Sequence, residues 1–114
     1  MVSRYQHFEA FESGVPFFAN DWNADMEKRE IEITNRMGLH ARAAAKIVRL
    51  ASQFRCQVAI AYAGRRASAR SIVAVMLLAA SVGSTIVLEA DGPDEAAAMT
   101  AIVALIEDGF GEKL

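Results

Sequence analysis

A histidine and an arginine two residues apart stand where a loop gives way to a helix. His40 and Arg42 lie in the segment Gly-Leu-His-Ala-Arg-Ala-Ala-Ala-Lys, residues 38–46. The first N–H groups of a helix have no intrahelical partner, and the helix dipole adds positive charge there, so such an end binds phosphate. Arg42 adds a planar cation that suits phosphate geometry. We predict that the His40 imidazole carries a phosphoryl group, which contacts the Arg42 guanidinium and the backbone N–H groups of Ala41 and Arg42.

Charge is unevenly distributed along the 114 residues, although the net charge is only −2. No acidic residue lies between Glu32 and Glu89, whereas basic residues are frequent in that interval. The basic residues there are Arg36, Arg42, Lys46, Arg49, Arg55, Arg65, Arg66 and Arg70. This asymmetry predicts an electropositive region that attracts an anionic ligand or an acidic partner. Arg65 and Arg66 are expected merely to solubilise a turn or a strand edge.

Several function classes find little support in the sequence. The basic residues are spread over several elements without interleaved aromatic residues, which argues against nucleic-acid binding. The longest apolar run, residues 72–80, is too short to span a membrane, and the N-terminus does not resemble a secretory signal, so we expect a cytoplasmic protein. Cys56 is the only cysteine and is expected to be a buried apolar residue rather than a metal ligand. We expect no metal, no cofactor and no stand-alone catalysis.

The composition indicates one globular domain with an N-terminal extension. Residues 1–25 are rich in aromatic and acidic residues without a clear period, and are expected to form a flexible or docking arm. Residues 26–114 are predicted to form the folded domain. Alternating and helical patterns there predict the order β-α-β-β-α-β-α. The strands are expected at residues 30–34, 56–62, 66–69 and 85–89, and the helices at about 41–53, 72–78 and 91–108.

This order of elements predicts an α+β fold with two layers, in which helices cover one face of a four-stranded, mostly antiparallel sheet. Ser71 is expected to cap the second helix, although the β-branched residues that follow it leave a strand as an alternative. Pro93 is expected within the first turn of the third helix, and Gly109 is expected to end that helix.

The Gly38-Leu39-His40-Ala41-Arg42 motif, the order of elements and Ser71 together resemble the HPr family, the histidine-containing phosphocarriers of the bacterial phosphoenolpyruvate-dependent phosphotransferase system. The resemblance covers roughly residues 29–108 and implies an open-faced sandwich fold. It implies that His40 accepts phosphate from enzyme I, with Nδ1 as the attacking nitrogen, and passes it to a IIA protein, with Arg42 as its companion.

The resemblance also implies a regulatory and a docking role for the second helix. Ser71 matches a serine that a dedicated kinase, the HPr kinase/phosphorylase, phosphorylates in some bacteria. Ile72, Val73 and Met76 match an apolar patch that partner proteins contact. Arg49 is expected either to pair with an acidic partner or to be an ordinary exposed charge.

The sequence departs from the family pattern at one position. Most members have proline directly after the arginine, whereas this chain has Ala43. Relatives with alanine there resemble proteins of incomplete or nitrogen-related phosphotransferase chains, which regulate rather than import sugar. The alternative function is therefore a regulatory binding module whose phosphorylation state controls partner proteins.

Overall fold

The computed structural model describes residues 26–112, and the extension predicted at residues 1–25 lies outside the described residues. The described part contains four strands, three α-helices and a short 3₁₀ helix, in the predicted order. In chain order the elements are β1 (Glu27–Glu32), α1 (Ala41–Ala51), β2 (Gln57–Tyr62), β3 (Arg65–Ser68), α2 (Ile72–Leu77), β4 (Thr85–Asp91), α3 (Glu95–Glu107) and the 3₁₀ helix (Gly109–Gly111).

The strands form one sheet in the order β1-β4-β2-β3, and all three pairings are antiparallel. Alternate residues of the central strands, such as Ile60 and Leu88, point into the core because side chains of a strand alternate between its faces. Ile47 of α1, Val75 of α2 and Ile102 of α3 belong to the same buried cluster. The helices therefore cover one face of the sheet, and the predicted two-layer α+β fold is confirmed.

β1 spans Glu27–Glu32, whereas the alternation of polar and apolar residues predicted a strand at residues 30–34. β1 pairs with β4 from Glu27 opposite Ala90 to Glu32 opposite Thr85. Because β4 runs two residues beyond the predicted Glu89, the early residues of β1 also find partners. Ile33, just after β1, is buried and donates its N–H to the Ser84 carbonyl at 2.8 Å, so it still contributes to the core.

The start of α3 differs from the prediction. The helix begins at Glu95, so Pro93 precedes it instead of lying in its first turn. Asp94 does not cap α3 with its side chain, because its carboxylate accepts hydrogen bonds from Arg55 N and Cys56 N, both at 2.9 Å. Cys56 is buried as predicted, and burial together with Asp94 raises the pKa of its thiol to about 12. The thiol therefore stays protonated and unreactive at neutral pH.

The expectation that Arg66 only solubilises a turn or a strand edge was wrong, whereas Arg65 is exposed at the start of the edge strand β3 as expected. The Arg65 guanidinium donates to the carbonyl of Leu78 at 3.1 Å. Arg66 Nε donates to Glu89 Oε1 at 2.8 Å, and the two side chains are only 11% and 10% exposed. Arg66 therefore forms an ion pair within the fold, because the pairing of β3 and β4 with β2 brings the sequence-distant Glu89 close to it.

Candidate functional site

His40 is the N-cap of α1, at the loop-to-helix boundary that the sequence predicted. Its backbone is extended, with φ −78° and ψ −180°, and Ala44 N donates the first helical hydrogen bond to its carbonyl at 2.8 Å. The backbone N–H of Arg42 points at His40 Nδ1, at 3.3 Å. The side chain is 20% exposed, so the ring is accessible at its edge while its orientation is constrained.

Gly38 gives the loop the backbone conformation that places His40 at the start of α1. It has φ +66°, and a Cβ there would overlap the Ala80 carbonyl oxygen, so both the backbone angle and the close approach require glycine. The Gly38 carbonyl accepts from Asn35 Nδ2 and from His40 N, both at 2.9 Å. Leu39 N donates to the same Ala80 carbonyl at 3.0 Å, which ties the loop to the segment after α2.

The imidazole lies in an open surface depression with a strongly basic lining. The lining consists of Arg36, Met37, His40, Ala41, Arg42, Lys46, Gly111 and Glu112. Three of these side chains are cations and one is a carboxylate, so the depression favours an anion. The electropositive region that the charge distribution predicted is concentrated here.

Arg42 and Arg49 lie at opposite ends of α1. Arg42 is exposed in the first turn and lines the depression with His40. No hydrogen bond or ion pair joins its guanidinium to another residue within 26–112. Arg49 is exposed in the last turn and is absent from the lining of the depression, so the structure separates it from His40. The backbone N–H groups of Ala41 and Arg42 both lie in the first turn, and that of Arg42 donates to the ring.

A carboxylate that the sequence analysis did not predict lies against the imidazole. Glu112 Oε2 is 2.5 Å from His40 Nε2, and Asn35 Nδ2 donates to both carboxylate oxygens at 3.3 Å. The hydrogen bond from His40, followed by that from Asn35, holds the pKa of Glu112 below its usual range. The two residues are 72 positions apart, so no local pattern could reveal the contact.

Glu112 reaches the histidine because the preceding residues are anchored. Phe110 is 1% exposed in the core and has φ +60°, a left-handed backbone that costs an aromatic residue roughly 1–3 kcal/mol. Lys46 Nζ donates to the Phe110 carbonyl at 2.5 Å. Burial of the ring and the lysine contact together offset the strained backbone, and direct the chain across the start of α1.

Ser71 caps α2 as predicted. Its backbone is extended, and its Oγ accepts a hydrogen bond from Ala74 N at 3.1 Å. The apolar side chains after it are unusually exposed: Ile72 by 40%, Val73 by 64%, Met76 by 39% and Leu77 by 65%. We call these four residues of α2 the apolar patch. Met37 and Val82 are exposed as well, and Met37 lines the depression around His40.

The described residues offer no constellation for metal chemistry. Among residues 26–112, no group of three or more histidine, cysteine, aspartate or glutamate side chains is arranged to hold a metal ion. In the same part of the chain, every helix is too short or too polar to cross a bilayer.

Comparison with known proteins identifies the family. Residues 27–108 match the family model described as the PTS HPr component phosphorylation site. The chain belongs to the HPr family of phosphocarrier proteins. It is 53% identical over 87 residues to the phosphocarrier protein HPr of Cupriavidus necator, a match that covers 76% of this chain and 98% of that protein. It is 41% identical to the phosphocarrier protein NPr of Shewanella violacea, covering 75% and 93% of the two chains.

Solved HPr structures share the fold. The crystal structure of HPr-C-His from Thermoanaerobacter tengcongensis superposes with a TM-score of 0.74 at 43% identity, and the match covers 77% of this chain and 99% of that one. Family membership supports a phosphocarrier role in the phosphotransferase system. The matched region contains the loop, α1 and α2, and therefore the predicted phosphate-binding, docking and regulatory residues.

Proposed function

We propose that residues 26–114 form a phosphocarrier domain in which His40 Nδ1 accepts a phosphoryl group and releases it to another protein. The observation that carries this proposal is the position of His40 at the start of α1, with its Nδ1 facing the Arg42 N–H at 3.3 Å in a basic depression. Such an N-terminal turn supplies N–H donors and positive dipole charge to a bound phosphoryl group.

The groups around His40 support both the acceptance and the release of a phosphoryl group. A phosphoryl group on Nδ1 would lie beside the N–H group of Arg42, and the Arg42 guanidinium, which lines the same depression, offers its oxygens a planar donor. Catalysis of phosphoryl transfer consists largely of positioning and charge stabilisation. A shallow, open site of this kind leaves room for the donor or acceptor protein to complete the positioning, which suits a carrier better than a stand-alone enzyme.

The proposed partners are enzyme I, which supplies the phosphoryl group from phosphoenolpyruvate, and a IIA protein, which receives it. The apolar patch gives these partners a hydrophobic surface on the helix that packs against α1, and exposed apolar groups on one helix are typical of protein–protein contacts. Ile72, Val73 and Met76 are the proposed docking residues. Arg49 is exposed and can pair with an acidic partner at the edge of the contact.

Ser71 is proposed as a regulatory phosphorylation site for an HPr kinase. A phosphate there would add up to two negative charges next to the apolar patch, and would oppose docking of an acidic partner surface. The hydroxyl is only partly exposed and caps α2, so phosphorylation would also change the start of that helix.

A regulatory module is the second candidate function. The identity to an NPr protein and the alanine at position 43 favour it, because the sequence resemblance links that alanine to nitrogen-related systems. In this case the phosphorylation state of His40 would control binding to a target protein, instead of feeding sugar uptake.

Incubation with enzyme I and labelled phosphoenolpyruvate tests the proposal. We expect one acid-labile, base-stable phosphate that is absent in His40→Ala. A stable label in His40→Ala, or no label in the native chain, would contradict it. Adding a IIA protein then separates the two functions, because a carrier is discharged whereas a dedicated signalling module keeps its label.

A further inference from the structure

The two ring nitrogens of His40 have different partners. Nε2 is 2.5 Å from Glu112 Oε2, while Nδ1 accepts from the Arg42 N–H at 3.3 Å. An ionised carboxylate has no proton to give, so the hydrogen must be on Nε2. A backbone N–H likewise needs a lone pair to donate to, so Nδ1 must be unprotonated. Both contacts select the same neutral tautomer of the imidazole, with its lone pair on Nδ1.

Glu112 is itself held in place as an anion. Asn35, which is buried, donates its side-chain N–H₂ to both carboxylate oxygens and to the Gly38 carbonyl, so one amide links the loop before His40 to the carboxylate behind it. The pKa of Glu112 is lowered by these donors, chiefly His40. The charge of Lys46, which lines the same depression, lowers the pKa of Glu112 further, so the carboxylate remains charged at neutral pH.

We propose that Glu112 is a positioning residue for His40, which selects the Nε2–H tautomer and balances the positive charge that the ring acquires when Nδ1 carries phosphate. This inference rests on the proposed function. It assigns a task to a residue far from the Gly-Leu-His-Ala-Arg motif, and it gives a reason for the strained backbone at Phe110, which directs Glu112 to the ring.

The transfer step balances without movement of a proton. The Nδ1 lone pair forms a bond to phosphorus while the bond between phosphorus and the donor group of the phosphorylated partner breaks, and that electron pair leaves with the donor. The ring keeps its Nε2–H and becomes cationic, and the Glu112 carboxylate lies 2.5 Å away to offset that charge. Onward transfer returns the electron pair to Nδ1. A carboxylate that orients an imidazole in this way is familiar from the Ser-His-Asp triad.

Two variants of Glu112 separate its charge from its hydrogen bond. Glu112→Gln keeps an oxygen that accepts from Nε2–H but removes the charge, whereas Glu112→Ala removes both. Glu107→Gln is the matched control, because Glu107 is exposed on α3 and lies outside the depression. The tautomer is read from the ¹⁵N chemical shifts of the His40 ring in the unphosphorylated protein at mildly alkaline pH.

We expect the native chain, Glu107→Gln and Glu112→Gln to show Nε2–H predominantly, and Glu112→Ala to show a mixture of both tautomers. Phosphoryl transfer from enzyme I is expected to slow roughly tenfold or more in Glu112→Ala and by less in Glu112→Gln, because the loss of one charged hydrogen bond, about 1.5–3 kcal/mol, is enough for a tenfold change. Unchanged ¹⁵N shifts in Glu112→Ala, or an unchanged transfer rate, would overturn the inference.

The experiment also distinguishes this inference from the proposed function. If the native chain accepts no phosphate on His40, the proposed function fails whatever the tautomer. If the native chain is phosphorylated but Glu112→Ala has native ring shifts and kinetics, only the role of Glu112 fails. Amide spectra of each variant verify the fold. If Glu112→Ala is unfolded, the nearly isosteric Glu112→Gln still measures how the carboxylate charge affects the transfer rate.

Discussion

The starts of α1 and α2 solve the same structural problem with different residues. His40 and Ser71 both have extended backbones at the N-cap, and each accepts a hydrogen bond from the helix it precedes. The acceptor is Nδ1 for Arg42 N at 3.3 Å in α1, and Oγ for Ala74 N at 3.1 Å in α2. As helix caps the two side chains are equivalent.

Their surroundings differ. The His40 ring also contacts Glu112, and cationic side chains line the depression around it. Ser71 is followed by the exposed apolar residues Ile72 and Val73, and α2 has no basic residue in its last turn and no acidic one in its first. A capping position therefore does not define a chemical role by itself, because the groups brought to it from other parts of the chain decide what it can do.

Exchanging each cap for alanine gives the largest contrast between the two helix starts. We expect His40→Ala to abolish phosphoryl acceptance from enzyme I, because His40 is the one imidazole among the described residues that line the depression. We expect Ser71→Ala to retain acceptance and to lower the free energy of unfolding by about 1 kcal/mol through loss of the cap. Phosphorylation assays and urea denaturation measure the two effects. Equal loss of acceptance in both variants would remove the distinction.

The cationic surroundings of His40 are tested by comparing the two exposed arginines of α1. Arg42→Ala is expected to slow phosphate acceptance by roughly tenfold to a hundredfold, since it removes a charged hydrogen-bond donor worth about 1.5–3 kcal/mol. Arg49→Ala is the control and is expected to change the transfer step much less. Phosphorylation assays with enzyme I, quenched at a series of times, measure both rates. Native kinetics in Arg42→Ala would show that its guanidinium does not hold the phosphoryl group.

A permanent negative charge at position 71 tests whether phosphorylation of Ser71 could regulate the binding of enzyme I. Ser71→Asp keeps a capping oxygen, so the fold should be retained, but its charge next to the apolar patch is expected to weaken enzyme I binding by about tenfold, or ~1.4 kcal/mol. Ser71→Asn supplies the uncharged control. Titration calorimetry measures the affinities, and identical values for the two variants would argue against regulation through Ser71.

The smallest effect is expected where this chain departs from the family pattern. Ala43→Pro places proline in the first turn of α1, where no regular helical hydrogen bond is lost and the fixed φ is compatible with the helix. The free energy of unfolding should change by less than about 1 kcal/mol, equivalent to a Tm shift of no more than about 8 °C. A larger drop in Tm would show that the buried environment of Ala43 has no room for the ring.

Local features of the fold and site followed from the sequence. The Gly38 loop, the His40 helix start and the Ser71 cap depend on neighbouring residues, so the pattern of types and spacing was sufficient to predict them. The order of strands and helices along the chain followed from alternation and helical spacing. The boundaries of β1 shifted because partner residues in β4, and not its own pattern, decide how far a strand extends.

Contacts between distant residues could not be predicted in this way. Glu112 reaches His40 only because the buried Phe110 fixes the preceding turn, and Arg66 meets Glu89 only because their strands share a sheet. The Asp94 side chain accepts hydrogen bonds from backbone N–H groups after α1, and does not cap α3, the helix that it precedes. In each case tertiary packing assigns the side chain a partner that its neighbours in sequence do not reveal.

The most direct test of the central claim is the position of the phosphate on the protein after reaction with enzyme I and phosphoenolpyruvate. Correlated ³¹P and ¹⁵N spectra of the labelled chain should show a single phosphorus bonded to Nδ1 of His40. A phosphate bonded to Nε2, or to any residue other than His40, would contradict the account.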